Sequence, residues 1–599
     1  MFSKVLIANR GEIAVRILRA CEELGIATVA VYSEVDRGAL HVARADEAYL
    51  LGPGPAAESY LSIAQLLDAI ERSGAEAVHP GYGFLAENAG FAARLEERGI
   101  KFIGPPSSAI EAMGSKTRAR ELMAKAGVPI VPGTTEPVAT IEGARKVIDE
   151  TIGYPVAVKA AGGGGGKGFR VALSEDKLSD AFDGAAREGE KYFSDATVYI
   201  ERYLPDPRHV EVQVLADSHG NVIHLGERDC SLQRRHQKLI EEAPAPAVDE
   251  ELRQRIGKIA TEAAAAVSYT GAGTIEGLLQ DGEYFFLEMN TRVQVEHCVT
   301  EMVTGVDIVK EGIRVAAGEK LSIKQDEVVL RGHAIECRIN AEDASKNFAP
   351  APGAIGRYRE PAGPGVRVDS GVGPDSEISP MYDPMVAKLI VWDVDRRQAT
   401  ARMLRALGEF EIEGLRTLLP FHTAILQTRQ WADAETCRDL IEDRKWLKEL
   451  AFPPAEPAGD GGDQDQETVQ QTYTVEVSGK RFDVKVIGPP FGGAGAVNGA
   501  GSAATGARKP QRRERARGAA GGGGGADTLT SPMQGTVLKV AVEPGADVRS
   551  GALVCVIEAM KMENEITAHK DGKVSELPIT VGASVAIGDT LAVISAAAD

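Results

Sequence analysis

The chain has no apolar run approaching the roughly 20 residues that a membrane span requires. Its start lacks a basic stretch followed by a long apolar core. Met1-Phe2-Ser3-Lys4-Val5-Leu6-Ile7-Ala8 reads as a buried first strand, so no secretory signal is expected. Cysteine is sparse and never paired as CxxC. Cys21, Cys230, Cys298, Cys337, Cys437 and Cys555 are scattered, which argues against a disulfide framework or a zinc site and for reduced thiols in a cytoplasmic protein. Positive charge is also in deficit. With 67 Lys and Arg against 87 Asp and Glu, the formal net charge of −20 disfavours nucleic acid or an anionic membrane as partner.

What is present is enough chain, 599 residues, for several domains, with 43% hydrophobic residues to build their cores. Residues 4–32 read strand, helix, strand: an apolar run at 4–8, Ile13, Ile17, Leu18 and Leu24 at helical spacing, and a second apolar run at 27–32. Similar units at 77–79 and 101–104 predict an α/β region with a parallel sheet. Residues from about 114 to 330 are longer and mixed, and a further α+β stretch runs from 331 to about 450. Composition then shifts. Residues 453–466 are rich in Pro, Ala, Gly, Asp and Glu, and residues 488–526 in Gly and Ala with a basic cluster at 512–517, so both read as linker. Between them, 473–487 alternates well enough for a strand–turn–strand, with Ser478-Gly479-Lys480 at the turn.

The C-terminal part contains a repeat. Residues 535–557 and 572–594 align without gaps, and Gly535, Val537, Gly545, Ala546, Val548, Gly551, Val556 and Ile557 recur identically. Apolar alternation with glycine turns predicts two equivalent sets of short strands facing each other about a pseudo-two-fold axis. Lys561 lies between them, flanked by Met560 and Met562, although exposed turns rarely carry large apolar side chains.

A glycine run at 162–168, interrupted only by Lys167, follows the apolar segment 155–159. Backbone without side chains can approach phosphates and offer N–H groups. The P-loop pattern fails, since Ala161 stands where its first Gly belongs and Gly168 replaces Ser/Thr. By itself the run reads equally as a linker. Further on, Glu288-Met289-Asn290-Thr291-Arg292-Val293-Gln294-Val295-Glu296, if extended, points Glu288, Asn290, Arg292, Gln294 and Glu296 one way and Met289, Val293 and Val295 the other. Tyr284 and Phe286 would share the charged face. Glu276 ends a second short strand that could pair beside Glu288. Two carboxylates and an amide oxygen suit magnesium, though alternation alone also fits a strand with one wet face.

Two resemblances emerge from these residues. Ala559-Met560-Lys561-Met562, in a two-fold β domain, resembles the biotin carboxyl carrier domain over about residues 527–597. Lipoyl domains share the fold, but their lysine usually follows an acidic residue. Over about residues 1–447 the chain resembles the ATP-grasp biotin carboxylases. The match rests on Ala8-Asn9-Arg10-Gly11-Glu12-Ile13-Ala14, His79-Pro80-Gly81-Tyr82-Gly83-Phe84, Gly226-Glu227-Arg228-Asp229-Cys230-Ser231 and Gln233-Arg234-Arg235-His236-Gln237-Lys238. The resemblance implies an α/β N-terminal domain (1–113) and an α+β ATP-grasp domain (114–330) with a glycine-rich lid at about 131–203. An α+β C-terminal biotin carboxylase domain (331–450), a linker (451–526) with a β segment at 470–488, and an all-β carrier domain (527–599) follow.

It further implies that Lys561 carries biotin covalently. Lys116, Lys159, Gly165, Gly166, Glu201, Leu204, His209 and His236 would hold ATP, together with Glu276 and Glu288. Glu276, Glu288 and Asn290 would bind magnesium or manganese, and Lys238, Arg292, Gln294 and Val295 would cradle bicarbonate. Glu296 would be the base, and Tyr82 and Arg338 would meet the biotin ureido ring. The chain departs from the family where Phe169 replaces a usual Met, Gly277 a usual Phe and Cys298 a usual Pro. The first two leave the exact shape of the adenine pocket open, and Cys298 is expected to be a packed, unreactive thiol.

The whole resembles α subunits of acetyl-/propionyl-CoA carboxylases. That implies a separate carboxyltransferase β subunit, modification by a biotin protein ligase, and a biotin carboxylase homodimer within a larger α/β assembly. A glycine-rich tether of about 40 residues reaches roughly 35 Å, enough to raise local biotin concentration at separate sites. The competing expectations are the same half-reaction for pyruvate or methylcrotonyl-CoA, an ATP-grasp ligase without biotin, and a biotin-binding protein with an inactive enzyme domain.

Overall fold

The computed structural model describes residues 1–114, 116–134, 136–160, 168–193, 196–235, 237–451, 469–477, 480–488, 527–531, 535–559, 562–585 and 588–595. The N-terminal region is a five-stranded parallel sheet in the spatial order Glu47–Gly52, Ala27–Ser33, Lys4–Ile7, Ala77–His79, Lys101–Phe102. Its first strand feeds helix Gly11–Glu23 through Gly11, which has φ +65°, a left-handed turn that glycine adopts without strain. Ile13, Ile17, Leu18 and Cys21 of this helix are buried, as their spacing requires, and join a core with Val5, Ile7, Ile308 and Ile313. Each such side chain contributes about 1.5–3 kcal/mol on full burial.

The central element is an eight-stranded antiparallel sheet. In spatial order its strands are Glu283–Asn290, Gly271–Gln280, Arg208–Ala216, Val222–Arg234, Gln237–Ala243, His333–Asn340, Met385–Asp393 and Val366–Ser370. Backbone pairing is continuous across residue 330, because Gln237–Ala243 hydrogen-bonds His333–Asn340. In Arg208–Ala216, Val210, Val212 and Val214 pack with Ile256, Ala260 and Ala263 of helix Glu250–Ala266. The alternate residues His209, Glu211 and Gln213 therefore point to the other face. That face is buried too, with Glu211 and Gln213 at 0% exposure, so polar groups are enclosed where apolar ones are the rule.

A separate three-stranded antiparallel sheet, Phe169–Ala172, Val156–Ala160 and Val198–Arg202, is backed by helices Ile141–Val147 and Leu178–Phe193 around its own core of Val156, Val158, Leu178, Ala185 and Ile200. Residues 161–167, Gly165 and Gly166 among them, lie between its first two strands in sequence and outside the described residues.

Residues 527–595 form two four-stranded antiparallel sheets. One contains Thr528–Thr530, Thr590–Ser595, Gly572–Glu576 and Asp547–Val548. The other contains Met562–Thr567, Leu553–Ala559, Gly535–Val540 and Ser584–Val585. Each repeat lends a strand to its counterpart's sheet: Gly535–Val540 pairs with Ser584–Val585, and Gly572–Glu576 with Asp547–Val548. The repeated glycines occupy equivalent left-handed turns, Gly545 (φ +90°) with Gly582 (+88°) and Gly551 (+86°) with Gly588 (+88°). The expected two-fold β arrangement is thus present. Strands Leu553–Ala559 and Met562–Thr567 pair up to Ala559 opposite Met562; Lys561 lies outside the described residues.

The segment 452–525 is a second unit. Its described part is a hairpin of Val469–Val477 with Lys480–Gly488, longer at its N-terminal side than the alternation over 473–487 suggests. Among the described residues no helix is long and apolar enough to cross a membrane.

Candidate active site

The polar face of the central sheet carries a knot of opposite charges. Lys238, at the start of strand Gln237–Ala243, donates to Glu276 Oε1 at 2.9 Å, to Glu296 Oε1 at 2.6 Å and to Glu211 Oε2. Arg338 donates through Nη2 to Glu296 Oε2 at 2.9 Å and through Nε to Glu241 Oε1 at 2.6 Å. Arg228, fully buried, reaches Glu211 Oε1 at 2.6 Å, Gln213 Oε1 at 2.7 Å and Gln294 Oε1 at 2.7 Å. Gln294 in turn donates to Glu276 Oε1 at 2.7 Å. His209 Nε2 lies 3.2 Å from Glu276 and 3.7 Å from Glu211.

Cross-strand register explains the convergence. Glu276 stands opposite Glu211 on one side and Glu288 on the other, so side chains from separate strands share one face. Charges this deeply buried persist only when paired. Burial pushes the Glu296 carboxyl up, but Lys238, Arg338 and Arg228 outweigh it and hold the carboxyl below the ordinary range. Burial likewise opposes charge on Lys238, yet Glu211, Glu296 and Glu276 raise its pKa well above the usual lysine value. Burial would lower His209, but Glu276 and Glu211 push it up to about 9, leaving an imidazolium at neutral pH. Glu241, despite Arg338, is pushed up to about 7 by burial. An ionised carboxylate in an enclosed site, flanked by cations, can take a proton from an acid held against those cations.

The other anticipated residues are distributed around this knot. Asn290 accepts from Arg292 Nη2 at 2.9 Å, while its own amide nitrogen has no hydrogen-bond partner among the described residues. Arg292 also pairs with Glu87 at 2.9 Å. Val295 presents its carbonyl to Lys388 Nζ at 2.9 Å. Lys159 pairs with Glu201 on the three-stranded sheet, and Arg120 reaches the same carboxylate at 2.9 Å. Leu204 packs with Val131, Phe285 and Leu278, forming an apolar patch on the polar side of the sheet. The Phe169 ring lies 5.8 Å from Lys159 Nζ. The Tyr82 hydroxyl lies 4.0 Å from Met385 Sδ, and Met385 pairs with Asn340, two residues from Arg338. Tyr82 is anchored by Asn9, whose amide donates to the carbonyls of Pro80 and Tyr82 at 2.7 Å each. Lys116 opens helix Lys116–Lys125; its side chain, with His236, lies outside the described residues.

Three expectations need correction. The strand through Glu288 ends at Asn290, and residues 291–296 turn away from it, so the alternation does not continue to Glu296. Glu296 reaches the knot from the end of a loop, as the N-cap of helix His297–Thr304. Tyr284 and Phe286 do not share the charged face. The register slips between Glu276↔Glu288 and Gly277↔Phe286, a bulge at Leu287 that inverts the phase, so both rings join the opposite core with Met289. Gly277 does not shape the apolar patch either. It faces that same core, and a Cβ there would stand 2.2 Å from the Tyr284 ring, which fills the space a larger residue 277 would use.

Family models match the chain along its length. Residues 1–110 match the biotin carboxylase N-terminal domain, 115–324 the carbamoyl-phosphate synthase L chain ATP-binding domain, 336–443 the biotin carboxylase C-terminal domain and 527–594 the biotin-requiring enzyme domain. A biotin-dependent acyl-coenzyme A carboxylase alpha3 subunit of Mycobacterium leprae is 46% identical over 595 residues, 98% of both chains. The chain belongs to the biotin carboxylases and carries a fused biotin carrier domain. A pyruvate carboxylase subunit of Methanothermobacter thermautotrophicus is 54% identical over 443 residues, 74% of this chain and 90% of that one. The biotin carboxylase domain dimer of Hydrogenobacter thermophilus 2-oxoglutarate carboxylase, solved with MgADP, ADP and bicarbonate, superposes with a TM-score of 0.69. It is 48% identical and covers 76% of this chain and 99% of that one.

This biotin carboxylase builds its site from more groups than its motifs suggest. Glu211, Arg228 and Glu241 are as central to the knot as Lys238; Arg228 lies in the Gly226–Ser231 motif, but none of the three is given a role by the sequence. The available signal is a charged residue within an apolar alternating strand, as in His209-Val210-Glu211-Val212-Gln213-Val214. Cys298 is fully buried against Asp369 (3.2 Å) and Lys388 (3.2 Å), and burial raises its thiol well above the usual value.

Proposed function

We propose that the chain is the α subunit of an acetyl-/propionyl-CoA carboxylase, carboxylating biotin on Lys561 for transfer by a separate carboxyltransferase β subunit. The observation that carries this reading is the end-to-end likeness to the acyl-coenzyme A carboxylase alpha3 subunit, carrier and linker included. The pyruvate carboxylase relative matches 74% of this chain rather than its whole length, and pyruvate remains the second reading. A biotin protein ligase would modify Lys561, and the biotin carboxylase portion would pair as its Hydrogenobacter relative does. Copurification of the native partner, followed by carboxylation of a panel of acetyl-CoA, propionyl-CoA, methylcrotonyl-CoA and pyruvate, tests the acceptor. A partner active on pyruvate alone would refute it.

In this reading ATP is held by Lys116, Lys159, Glu201, Leu204, His209 and His236, with Gly165 and Gly166 closing over its phosphates. Leu204 and its apolar neighbours suit an adenine ring, and the lysines suit phosphate oxygens. Glu276 and Glu288, paired across strands, and the Asn290 amide oxygen are hard donors of the kind magnesium or manganese takes. Such an ion would neutralise charge on the nucleotide phosphates.

Bicarbonate would lie against Lys238, Arg292, Gln294 and Val295. Glu296, kept ionised by Lys238 and Arg338, takes its proton and makes it a nucleophile toward the γ-phosphoryl group. Charge on the transferring group is met by Lys238 and Arg292 from fixed positions. The product, carboxyphosphate, must be shielded from water before it delivers its carboxyl group, a task for the glycine-rich lid. Arg338, tethered by Glu241 and Glu296, and Tyr82 would orient the ureido ring. Bicarbonate-dependent ATP cleavage should collapse in Glu296→Ala and Lys238→Gln, and intact mass should show biotin lost in Lys561→Ala. Undiminished cleavage, or retained biotin, would overturn the respective role.

A further inference from the structure

Strand Met385–Asp393 places Lys388 directly opposite Arg338 on one neighbour and Asp369 on the other. Its side chain is wholly buried. The ammonium donates to Val295 O at 2.9 Å and to Cys298 Sγ at 3.2 Å, with Glu12 Oε2 at 3.2 Å and Asp369 Oδ2 at 3.7 Å. Burial disfavours its charge, but the acidic groups around it keep the ammonium protonated. None of the reaction steps proposed for the site uses this lysine.

Its placement coincides with the stretch of the site that has the least secondary structure. Residues 291–296 form neither strand nor helix, and Glu296 begins helix His297–Thr304 without a side-chain cap. Arg292, Gln294 and Glu296 hold this loop through their side chains. Lys388 grips the backbone, one residue before the base. It is itself fixed from a second side, because Glu12 opens the N-terminal helix. A Cβ on Gly371, next to strand Val366–Ser370, would stand 2.4 Å from the Glu12 nitrogen, so these segments are in van der Waals contact. His297, Cys298 and Asp369 also have the composition of a metal site. Lys388, 3.2 Å from the sulfur, and Arg367, 2.7 Å from Asp369 Oδ2, already supply the positive charge there.

We propose that Lys388 is a positioning residue for bicarbonate, holding the Val295 carbonyl so that residues 292–296 keep the geometry that proton transfer needs. The inference rests on the reading of Glu296 as the base. The test uses the full chain carrying Lys388→Met, with Lys388→Met/Glu12→Gln alongside, since the double variant leaves one fewer uncompensated carboxylate. The bicarbonate KM should rise about tenfold or more, the effect of losing a hydrogen bond from a charged donor. The ATP KM and the ATP cleavage without bicarbonate should stay unchanged. A merely structural role would lower the melting temperature and kcat while sparing the bicarbonate KM, and an unchanged bicarbonate KM in either folded variant overturns the proposal. Glu296→Ala separates the two readings. If it retains bicarbonate-dependent cleavage, the assignment of the base fails; if it is inactive while the Lys388 variants keep their bicarbonate KM, only the Lys388 role fails.

Discussion

Replacing Arg338 with methionine should move the acid limb of the pH–rate profile to higher pH. Glu296 is 2% exposed, so burial alone would keep its carboxyl protonated far above its ordinary range. Lys238 at 2.6 Å and Arg338 at 2.9 Å reverse that. An opposite charge this close shifts a carboxyl by about 1–3 units. The lower end applies to Arg338, since Lys238 and Arg228 remain, and about one unit corresponds to about 1.4 kcal/mol. Glu296 works in its ionised form, so raising its pKa removes activity first at the acid end. The assay is kcat/KM for bicarbonate in ATP cleavage, which reports free-enzyme groups. It is run in a Lys561→Ala background so that the ureido contact plays no part. Glu211→Gln is the opposite-sign control: it removes an ionised neighbour that raises Glu296 and should move the limb down. Stability follows the same sign. A depressed carboxyl contributes stability that is present above its unfolded value and lost as pH falls through its folded value. The Arg338 variant should therefore acid-unfold at higher pH than the parent. An acid limb that stays in place, or moves down, would refute the account of Glu296.

Arg228→Met strands Glu211 and Gln294 in a buried site, and should cost about 3–5 kcal/mol in denaturant unfolding. Gly277→Phe should destabilise by about 1–3 kcal/mol through collision with Tyr284, and Tyr284→Ala should restore much of it. Nucleotide KM should match the parent in that double variant, because residue 277 faces the core. All six cysteines are buried, so a charged thiol reagent should label none rapidly in the native protein and all six in guanidinium.

The parts of the fold legible in sequence are those with strong local periodicity. The helical spacing of Ile13, Ile17 and Leu18, and the recurrence of Gly545 and Gly551 as Gly582 and Gly588, each specify geometry within a few residues. The phase of strand Glu283–Asn290 is not legible. A bulge at Leu287 costs one extra residue and leaves no compositional mark, yet it exchanges the two faces for everything upstream. The loop at 291–296 is hidden for a related reason: its alternating residues imitate a strand, and side-chain bonds to distant partners override that local pattern.

Glu211 shows where sequence reasoning could go further. An isolated alternating segment with charges on one face ordinarily has that face in water. Arg208–Ala216 lies third in an eight-stranded sheet, and both of its edges are paired. Its charged face is enclosed, so Glu211 must find cations, and Arg228 and Lys238 are those cations. The requirement runs onward. Lys238 saturates its three protons on Glu211, Glu276 and Glu296, which leaves Glu296 needing Arg338 and Arg338 needing Glu241. Removing one member leaves an uncompensated charge on the next, so the network tolerates paired exchanges better than single ones. A Glu211→Gln/Arg228→Met double variant should therefore recover much of the stability lost in Arg228→Met alone. A double variant no more stable than the single one would show that the two residues do not share the charge balance their geometry implies.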